Sequence, residues 1–451
     1  MKTIKLPRSL AVCCFCWILI TSATFSSSGQ SPDTVFREQK FNLHFQNTVI
    51  YQFHPAFHAS YSGQNSLSPS FEDPLSVTAT LFLGVKLWHG AGIYFNPELS
   101  GGAGFSQTTG IAGFPNGEVY RVSDSKPHVY IARLFLKQVF PLSANLTQQS
   151  DGVNQLRCKT PVEYIAIYAG KFSIMDYFDD NQFSHDPRAQ FFNWALMGNG
   201  AWDYPANTKG YTYGLVLEWV MKKWAFRFGS VMVPIAANGS VMDFNVLRSN
   251  SEAVEFDYHY HAGKQPGIVR IISYLTQARM GNYKKAIDWG IAHDTVPFID
   301  STHALGRIKY GFGLNLEQNL GDNIGVFFRA GWDDGHTETW AFTEIDRVFS
   351  LGLHLNGQLW KRGDDHLGIA ALVNGLSEDH KNYLRNGGYG FIIGDGKLNY
   401  GPEYIGELYY SWKIFQFPVW LTADYQFILH PAYNRDRGPV HAPGIRLHVE
   451  L

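Results

Sequence analysis

A segment rich in hydrogen-bonding and aromatic side chains runs from Gly170 to Tyr204. Carboxylates, amides, an imidazole and a guanidinium can replace the hydrogen bonds that the hydroxyl groups of a sugar make with water. Indole rings can stack on the apolar C–H faces of a pyranose. We therefore predict that this segment binds neutral sugars without a metal or another cofactor. The predicted contact residues are Asp176, Asp179, Asp180, Asn181, His185, Asp186, Arg188, Asn193, Trp194, Asn199, Trp202 and Asp203.

Other interpretations of such residues stay open. The segment could be an internal brace whose aromatic side chains pack on one another, and its aspartates could bind calcium, although they lack the spacing of a calcium loop. Glycoside hydrolysis needs two carboxyl groups about 5–10 Å apart across one bond, whereas Asp179 and Asp180 are adjacent, and the sequence has no nucleophile elbow. Four residues on one face of a single run could bind a divalent metal or simply line a polar surface: Glu255, Asp257, His259 and His261.

Composition and the N-terminal region narrow the class of protein. The net charge of −2 gives no indication of nucleic-acid binding, for which a basic surface would be expected. A basic start followed by an apolar run from Leu10 to Ile20 is typical of an export signal and is too short to span a bilayer as a helix. We predict a cleaved signal peptide over residues 1–29 and a single barrel domain over residues 30–451. Cys158 is then alone in the mature chain, so an intramolecular disulfide cannot form.

Period-two alternation of apolar and polar residues recurs along the mature chain and indicates β-strands with one apolar and one polar face. Around Leu81 and Leu83, for example, the apolar residues alternate with Thr78 and Thr80. Runs of about nine to twelve residues can cross a bilayer at a tilt. We predict sixteen strands, near residues 41–51, 76–87, 90–101, 128–140, 163–172, 211–219, 224–232, 253–262, 267–277, 307–319, 324–333, 346–357, 365–375, 403–413, 419–427 and 443–451.

The connections between these strands alternate between short and long, with one exception at 141–161 on the short side. Outer-membrane barrels show this alternation, whereas a soluble β-sandwich gives no reason for it. Because backbone groups in lipid need protein partners, the sheet must close. The predicted fold is an all-β, sixteen-stranded antiparallel transmembrane barrel in the outer membrane of a Gram-negative-type bacterium. Its short turns are predicted to be periplasmic and its long loops to lie on the outer side, with segment 173–210 folded into the lumen. Tryptophans suited to a membrane interface lie beside the short turns: Trp88, Trp219, Trp224, Trp360, Trp412 and Trp420.

The polar faces of the strands are predicted to line an aqueous channel, since sixteen strands enclose a wide lumen. Charges of both signs among them argue against a strongly ion-selective filter. Inward glycines such as Gly311, Gly313 and Gly325 indicate open space, which disfavours a structural barrel with a filled interior. The predicted pore-wall residues are Arg133, Lys171, Glu218, Arg227, Lys309, Glu317, Arg329 and Glu407.

A family resemblance is carried by the stretches Thr109–Glu118, Gly170–Pro205, Gly210–Gly214, Gly331–Arg347 and Gly438–Leu451. These stretches resemble the carbohydrate-selective porin family of the OprB type. The resemblance implies a sixteen-stranded outer-membrane barrel that passes monosaccharides, glucose foremost, with the acidic and tryptophan-rich segment in its constriction. A general or differently selective porin is the alternative, and the barrel is a monomer or a homotrimer. The implied partners are neutral sugars, outer-membrane lipid and the barrel-assembly machinery, although Leu451 departs from the usual terminal Phe or Trp.

Overall fold

The computed structural model describes residues 36–119, 126–414 and 416–451. The predicted signal peptide lies outside these residues. The chain divides into Met1–Glu38 and Gln39–Leu451, and the second unit contains every strand of the described part. Among the described residues, no helix has both the length and the apolar character needed to cross a bilayer.

Strands dominate the described residues, and the helices are short. The helices are α1 (Trp194–Met197), α2 (Tyr283–Ala292) and α3 (Glu378–Arg385), with 3₁₀ turns at Phe105–Gln107, Ile174–Asp176, Ile299–Thr302, Gly357–Trp360 and Pro431–Tyr433. The strands are β1 (Phe41–Gln52), β2 (Leu75–Lys86), β3 (Ala91–Gly102), β4 (His128–Pro141), β5 (Leu146–Gln149), β6 (Cys158–Pro161), β7 (Tyr164–Phe172), β8 (Thr212–Val220), β9 (Trp224–Met232), β10 (Asn250–Ala262), β11 (Gln265–Met280), β12 (Ala304–Asn319), β13 (Ile324–Asp333), β14 (Arg347–Asn356), β15 (His366–Gly375), β16 (Glu403–Lys413), β17 (Val419–Leu429) and β18 (Val440–Glu450).

Within the described residues, sixteen of these strands form a closed antiparallel barrel. Each barrel strand pairs with the next along the chain, and β18 pairs with β1, where Gln46 lies opposite Glu450. The chain passes from β4 directly to β7 in the barrel, because β5 and β6 form a separate two-stranded sheet between them. Closure leaves no sheet edge to expose unpaired backbone groups to lipid.

The two faces of the strands carry the residues that the alternation predicts. Thr78 and Thr80 on β2 are buried inside the barrel, whereas Leu75 and Val85 on the same strand are exposed on its outside. The sixteen predicted strands and the barrel fold are therefore confirmed. Strands β10, β11, β12 and β18 extend farther toward the long loops than predicted, since their ladders continue beyond the clearly alternating residues.

A charge on the outer face of the barrel should destabilise it. Phe312 is 55% exposed on β12 and lies opposite Ser273 and Trp332. We expect Phe312→Arg to lower the free energy of unfolding by about 2–4 kcal/mol, because lipid desolvates the guanidinium near the midplane. Urea unfolding in lipid vesicles, followed by tryptophan fluorescence, measures this loss. Phe312→Leu keeps the side chain apolar and is the control; equal losses in the two variants would contradict a lipid-facing position.

Candidate functional site

Residues 173–211, here called the inner loop, fold into the barrel and bind the inner faces of later strands. The Asp179 carboxylate accepts hydrogen bonds from Asn315 Nδ2 on β12 at 2.7 Å and from Arg329 Nε on β13 at 3.2 Å. Arg329 also donates to three carbonyl oxygens of the inner loop at distances between 2.7 and 3.1 Å. Arg329 is completely buried, so this cluster fixes the loop to the wall by charge-assisted hydrogen bonds.

A second set of contacts fixes the inner loop to the last three strands. Glu407 on β16 accepts the backbone N–H groups of Phe192 and Asn193. The Asn193 side chain donates to Gln426 Oε1 on β17 at 2.9 Å. Arg446 on β18 donates to two carbonyl oxygens of the loop, each at 2.7 Å. The inner loop therefore covers the side of the lumen that strands β12, β13 and β16–β18 form.

Glycines on the covered wall make room for the inner loop. A Cβ atom at Gly325 would lie 2.1 Å from the Phe183 ring, and one at Gly313 would lie 2.5 Å from Asn199 Nδ2. At Gly331 the corresponding distance, to Asn199 Oδ1, is 2.0 Å. The prediction that inward glycines leave open space is wrong at Gly313 and Gly325, because loop side chains occupy that space.

Part of the inner loop forms an aromatic core of its own. Trp202 is completely buried and lies edge-on to Phe178 and Tyr204, with ring centroids 6.2 and 6.0 Å apart. The adjacent Asp203 accepts three backbone N–H groups of loop 334–346. Burial raises the pKa of the Asp203 carboxyl, although these donors favour its charged form. In this arrangement Trp202 has no exposed surface for a sugar ring.

A cavity of about 830 Å³ remains between the inner loop and the opposite wall, on the side of β1–β4 and β7–β9. Nine of the predicted site residues line it: Arg133, Asp176, Asp180, His185, Asp186, Arg188, Trp194, Glu218 and Arg227. Six predicted contact residues are instead buried at the joint between the inner loop and its surroundings: Asp179, Asn181, Asn193, Asn199, Trp202 and Asp203.

Several charged side chains around the cavity are paired with opposite charges. Arg188 Nε lies 2.9 Å from Glu118, and Arg188 Nη2 lies 3.0 Å from Glu98 on β3. Burial alone would lower the pKa of Arg188, but the two carboxylates outweigh it and raise this pKa well above its usual value. Arg133 on β4 holds both oxygens of Asp176 at 2.6 and 2.7 Å. The wall thus presents donors and acceptors without a strong net field.

The pairing continues along β8–β11. Arg227 lies 3.0 Å from Glu218, 3.1 Å from Glu255 and 2.5 Å from Asp257. Two of the residues considered for a divalent metal are therefore bound to an arginine. Nearby, burial acts to raise the pKa of Asp180, but His185 and several arginines outweigh it and lower that pKa.

Aromatic rings lie among these pairs. The phenol groups of Tyr130 and Tyr211 both donate to Glu98, at 2.6 and 3.0 Å, and their ring centroids are 6.1 Å apart. Glu98 also accepts from Thr80 Oγ1 at 2.6 Å. The sequence reasoning did not single out Glu98, although the alternation of Asn96, Glu98 and Ser100 on β3 is a signal that could have found it.

Lys171 was wrongly predicted to line the pore. It lies opposite Leu134 and Tyr213, which are exposed on the outside, and its Nζ atom is 5.4 Å from the centre of the Tyr213 ring. Ala166 and Tyr168 face inward, so strand parity places Lys171 outside. Four other predicted wall residues point inward but are buried under neighbouring groups instead of facing the cavity: Lys309, Glu317, Arg329 and Glu407.

Residues able to bind a metal meet in the outer loops. In the part of the chain that the structure describes, one group of three such residues brings its ligand atoms within 4.8 Å of one another: Asp300, His303 and Glu338. His303 Nε2 lies 2.8 Å from Glu338, and hydrogen bonding to this carboxylate raises the pKa of His303. None of the three lines the cavity.

Comparison with known proteins gives one family and several solved structures. The family model described as "Carbohydrate-selective porin, OprB family" matches residues 73–451. The high-pH structure of Pseudomonas putida OprB is similar at a TM-score of 0.67 and 14% identity, over 91% of this chain and 94% of that one. The outer membrane channel DcaP of Acinetobacter baumannii is similar at 0.50 and 8% identity, over 91% and 97%. No curated protein sequence matches the chain.

Proposed function

This chain belongs to the OprB family of carbohydrate-selective porins, and from this premise we propose that it passes glucose-like monosaccharides by facilitated diffusion. It is an outer-membrane channel and not an enzyme. The proposed path is the cavity beside the inner loop, and the inner loop sets its width. The neutral sugar crosses down its concentration gradient, so the protein supplies contacts and no energy.

The observation that carries this proposal is the combination of paired charges and aromatic rings around one cavity. Arg188 with Glu98 and Glu118, and Arg133 with Asp176, offer donors and acceptors that suit hydroxyl groups. Because these charges are paired with one another, an ion gains little from them on entering, whereas a neutral polyol can exchange hydrogen bonds step by step.

The inner loop contributes two kinds of residue in this proposal. Those that line the cavity are proposed to contact the sugar, with the carboxylates and Arg188 binding hydroxyl groups and Trp194 offering part of its ring. Those buried at the wall are proposed to hold the loop in place. The contact residues are Asp176, Asp180, His185, Asp186, Arg188 and Trp194.

Liposome swelling tests the proposal. We expect vesicles that contain the protein to swell faster in isosmotic glucose than in isosmotic gluconate, because the two solutes share a carbon skeleton and differ in charge. Vesicles without protein give the background rate. Equal rates in both solutes would favour a general porin, and swelling at the background rate in glucose would contradict sugar transport altogether.

A further inference from the structure

The connection between β4 and β7 is long for a periplasmic turn, and its end reaches into the barrel. Residues 151–156, here called the hairpin tip, follow β5 and precede β6. The Asp151 carboxylate lies 2.9 Å from Asn42 Nδ2 and 3.0 Å from His44 Nε2, two residues of β1. Asn154 Oδ1 accepts a hydrogen bond of 2.9 Å from Asn96 on β3. Asn96 is completely buried, so the hairpin tip lies against the inner wall.

The hairpin tip reaches the level of the inner loop. Asn96 is five residues beyond Ala91, where β3 begins, which corresponds to roughly 16 Å along a strand. Asn96 pairs with Arg133 on β4, and Arg133 binds Asp176 of the inner loop. At this height the cavity is therefore bordered by the inner loop, which enters from the outer side, and by the hairpin tip, which enters from the periplasmic side.

The hairpin tip is held in one conformation. Gly152 and Gln155 exchange backbone hydrogen bonds of 3.0 Å in both directions. Asn42 Nδ2 donates to the carbonyl oxygens of these same two residues, at 3.1 and 2.9 Å. Leu156 is 5% exposed and belongs to the main apolar core. A segment with this many contacts is a fixed wall and not a mobile flap.

The side chains that the hairpin tip presents to the cavity are uncharged. Val153, Asn154 and Gln155 line it. Asn154 Nδ2 and Gln155 Oε1 make no hydrogen bond to any described part of the chain. A free amide N–H and a free amide oxygen can bind a hydroxyl group without attracting a counter-ion.

We propose that the hairpin tip is the second half of the constriction, an amide-lined exit that contacts the sugar as it leaves and limits the size of solute that passes. This inference rests on the proposed function for the identity of the solute. Whether the hairpin tip obstructs the pore does not depend on the solute, so it can be measured from the ion conductance alone.

A shortened hairpin tests the obstruction. Gln149 and Cys158 pair in register, so an Asn-Gly turn joining them in place of residues 150–157 gives a standard two-residue hairpin. We expect the single-channel conductance in KCl to rise by about two-fold or more, and maltose to permeate at a rate closer to that of glucose. Correct assembly is verified by the mobility shift between unheated and heated samples on gels. An assembled variant with unchanged conductance would overturn the proposal.

An isosteric charge tests the contact without changing the backbone. Asn154 has a positive φ of 53, and Asp tolerates this left-handed conformation about as well as Asn does. We expect Asn154→Asp to raise the cation-to-anion permeability ratio by about two-fold, read from the reversal potential in a KCl gradient. Gln148→Glu adds the same charge on the exposed ladder of the same hairpin, opposite Lys159, and should leave the ratio unchanged. Equal ratios in wild type and Asn154→Asp would overturn the proposal.

The two proposals fail in different experiments. If wild-type vesicles do not swell in glucose but the shortened hairpin still raises KCl conductance, the sugar assignment fails and the obstruction stands. If glucose swelling is confirmed and both hairpin variants conduct like wild type, the hairpin tip has no part in permeation.

Discussion

Arg329→Met should release the inner loop and produce larger, noisier single-channel currents. The substitution leaves Asp179 buried without its charge partner and leaves three loop carbonyl oxygens without their donor. Removing one partner of a buried ion pair costs about 3–5 kcal/mol. We expect this cost to appear both in the free energy of docking the inner loop and in the free energy of unfolding. Recordings in planar bilayers measure the conductance, and heat unfolding on gels measures the stability.

A control comes from an exposed ion pair of the same chain. Lys284 on α2 lies 3.3 Å from Asp288, and the two side chains are 68% and 61% exposed, so a pair of this kind contributes about 0–1 kcal/mol. Lys284→Met should therefore leave conductance and unfolding temperature close to wild type. If Arg329→Met behaved in the same way, the inner loop would not depend on this anchor.

Arg188→Met should make the pore prefer cations to anions. It leaves Glu98 and Glu118 beside the cavity without their shared guanidinium, again at about 3–5 kcal/mol for an uncompensated buried charge. Burial raises the pKa of Glu118, and Arg188 opposes this rise. Without Arg188 the pKa rises further, so cation preference should be absent at low pH and should grow as pH rises through that pKa.

Reversal potentials in a KCl gradient, measured from acidic to neutral pH, check this expectation. Arg188→Lys keeps the positive charge and should keep the reversal potential near wild type, although a lysine cannot reproduce the geometry of the guanidinium. A potential that is independent of pH in Arg188→Met would show that the two carboxylates do not face the permeating ions.

The barrel could be predicted from local patterns, because each strand shows both of its faces within a few residues. Lys171 was predicted from its charge, although the alternation of its strand indicates the opposite face. Ile165 and Ile167 face outward, and Lys171 is an even number of residues away from both, so it also faces outward. A lysine near a strand end can extend its amine to the membrane surface. Selecting it for its charge alone put it on the wrong face.

The sequence predicted that segment 173–210 folds into the lumen, but local patterns could predict neither its partners on the wall nor the inward turn of the hairpin tip. The partners of Asp179 and Asn193 lie on β12, β13, β16 and β17, far away in the sequence. A carboxylate that binds a sugar and one that binds a buried arginine look the same in sequence, which is why half of the predicted contact residues are anchors in the structure. The unusual length of 141–161 was visible, but its inward turn depends on Asn42 and Asn96, which belong to other strands.

Arg446 links the closure of the barrel to the anchoring of the inner loop. It lies on β18, the strand whose pairing with β1 seals the cylinder, and it also holds two carbonyl oxygens of a segment that was synthesised between β7 and β8. That segment lacks these two hydrogen bonds until β18 is in place. The strand that closes the barrel is therefore also one that anchors the inner loop, so a change that weakens the attachment of β18 should loosen both the sheet and the loop.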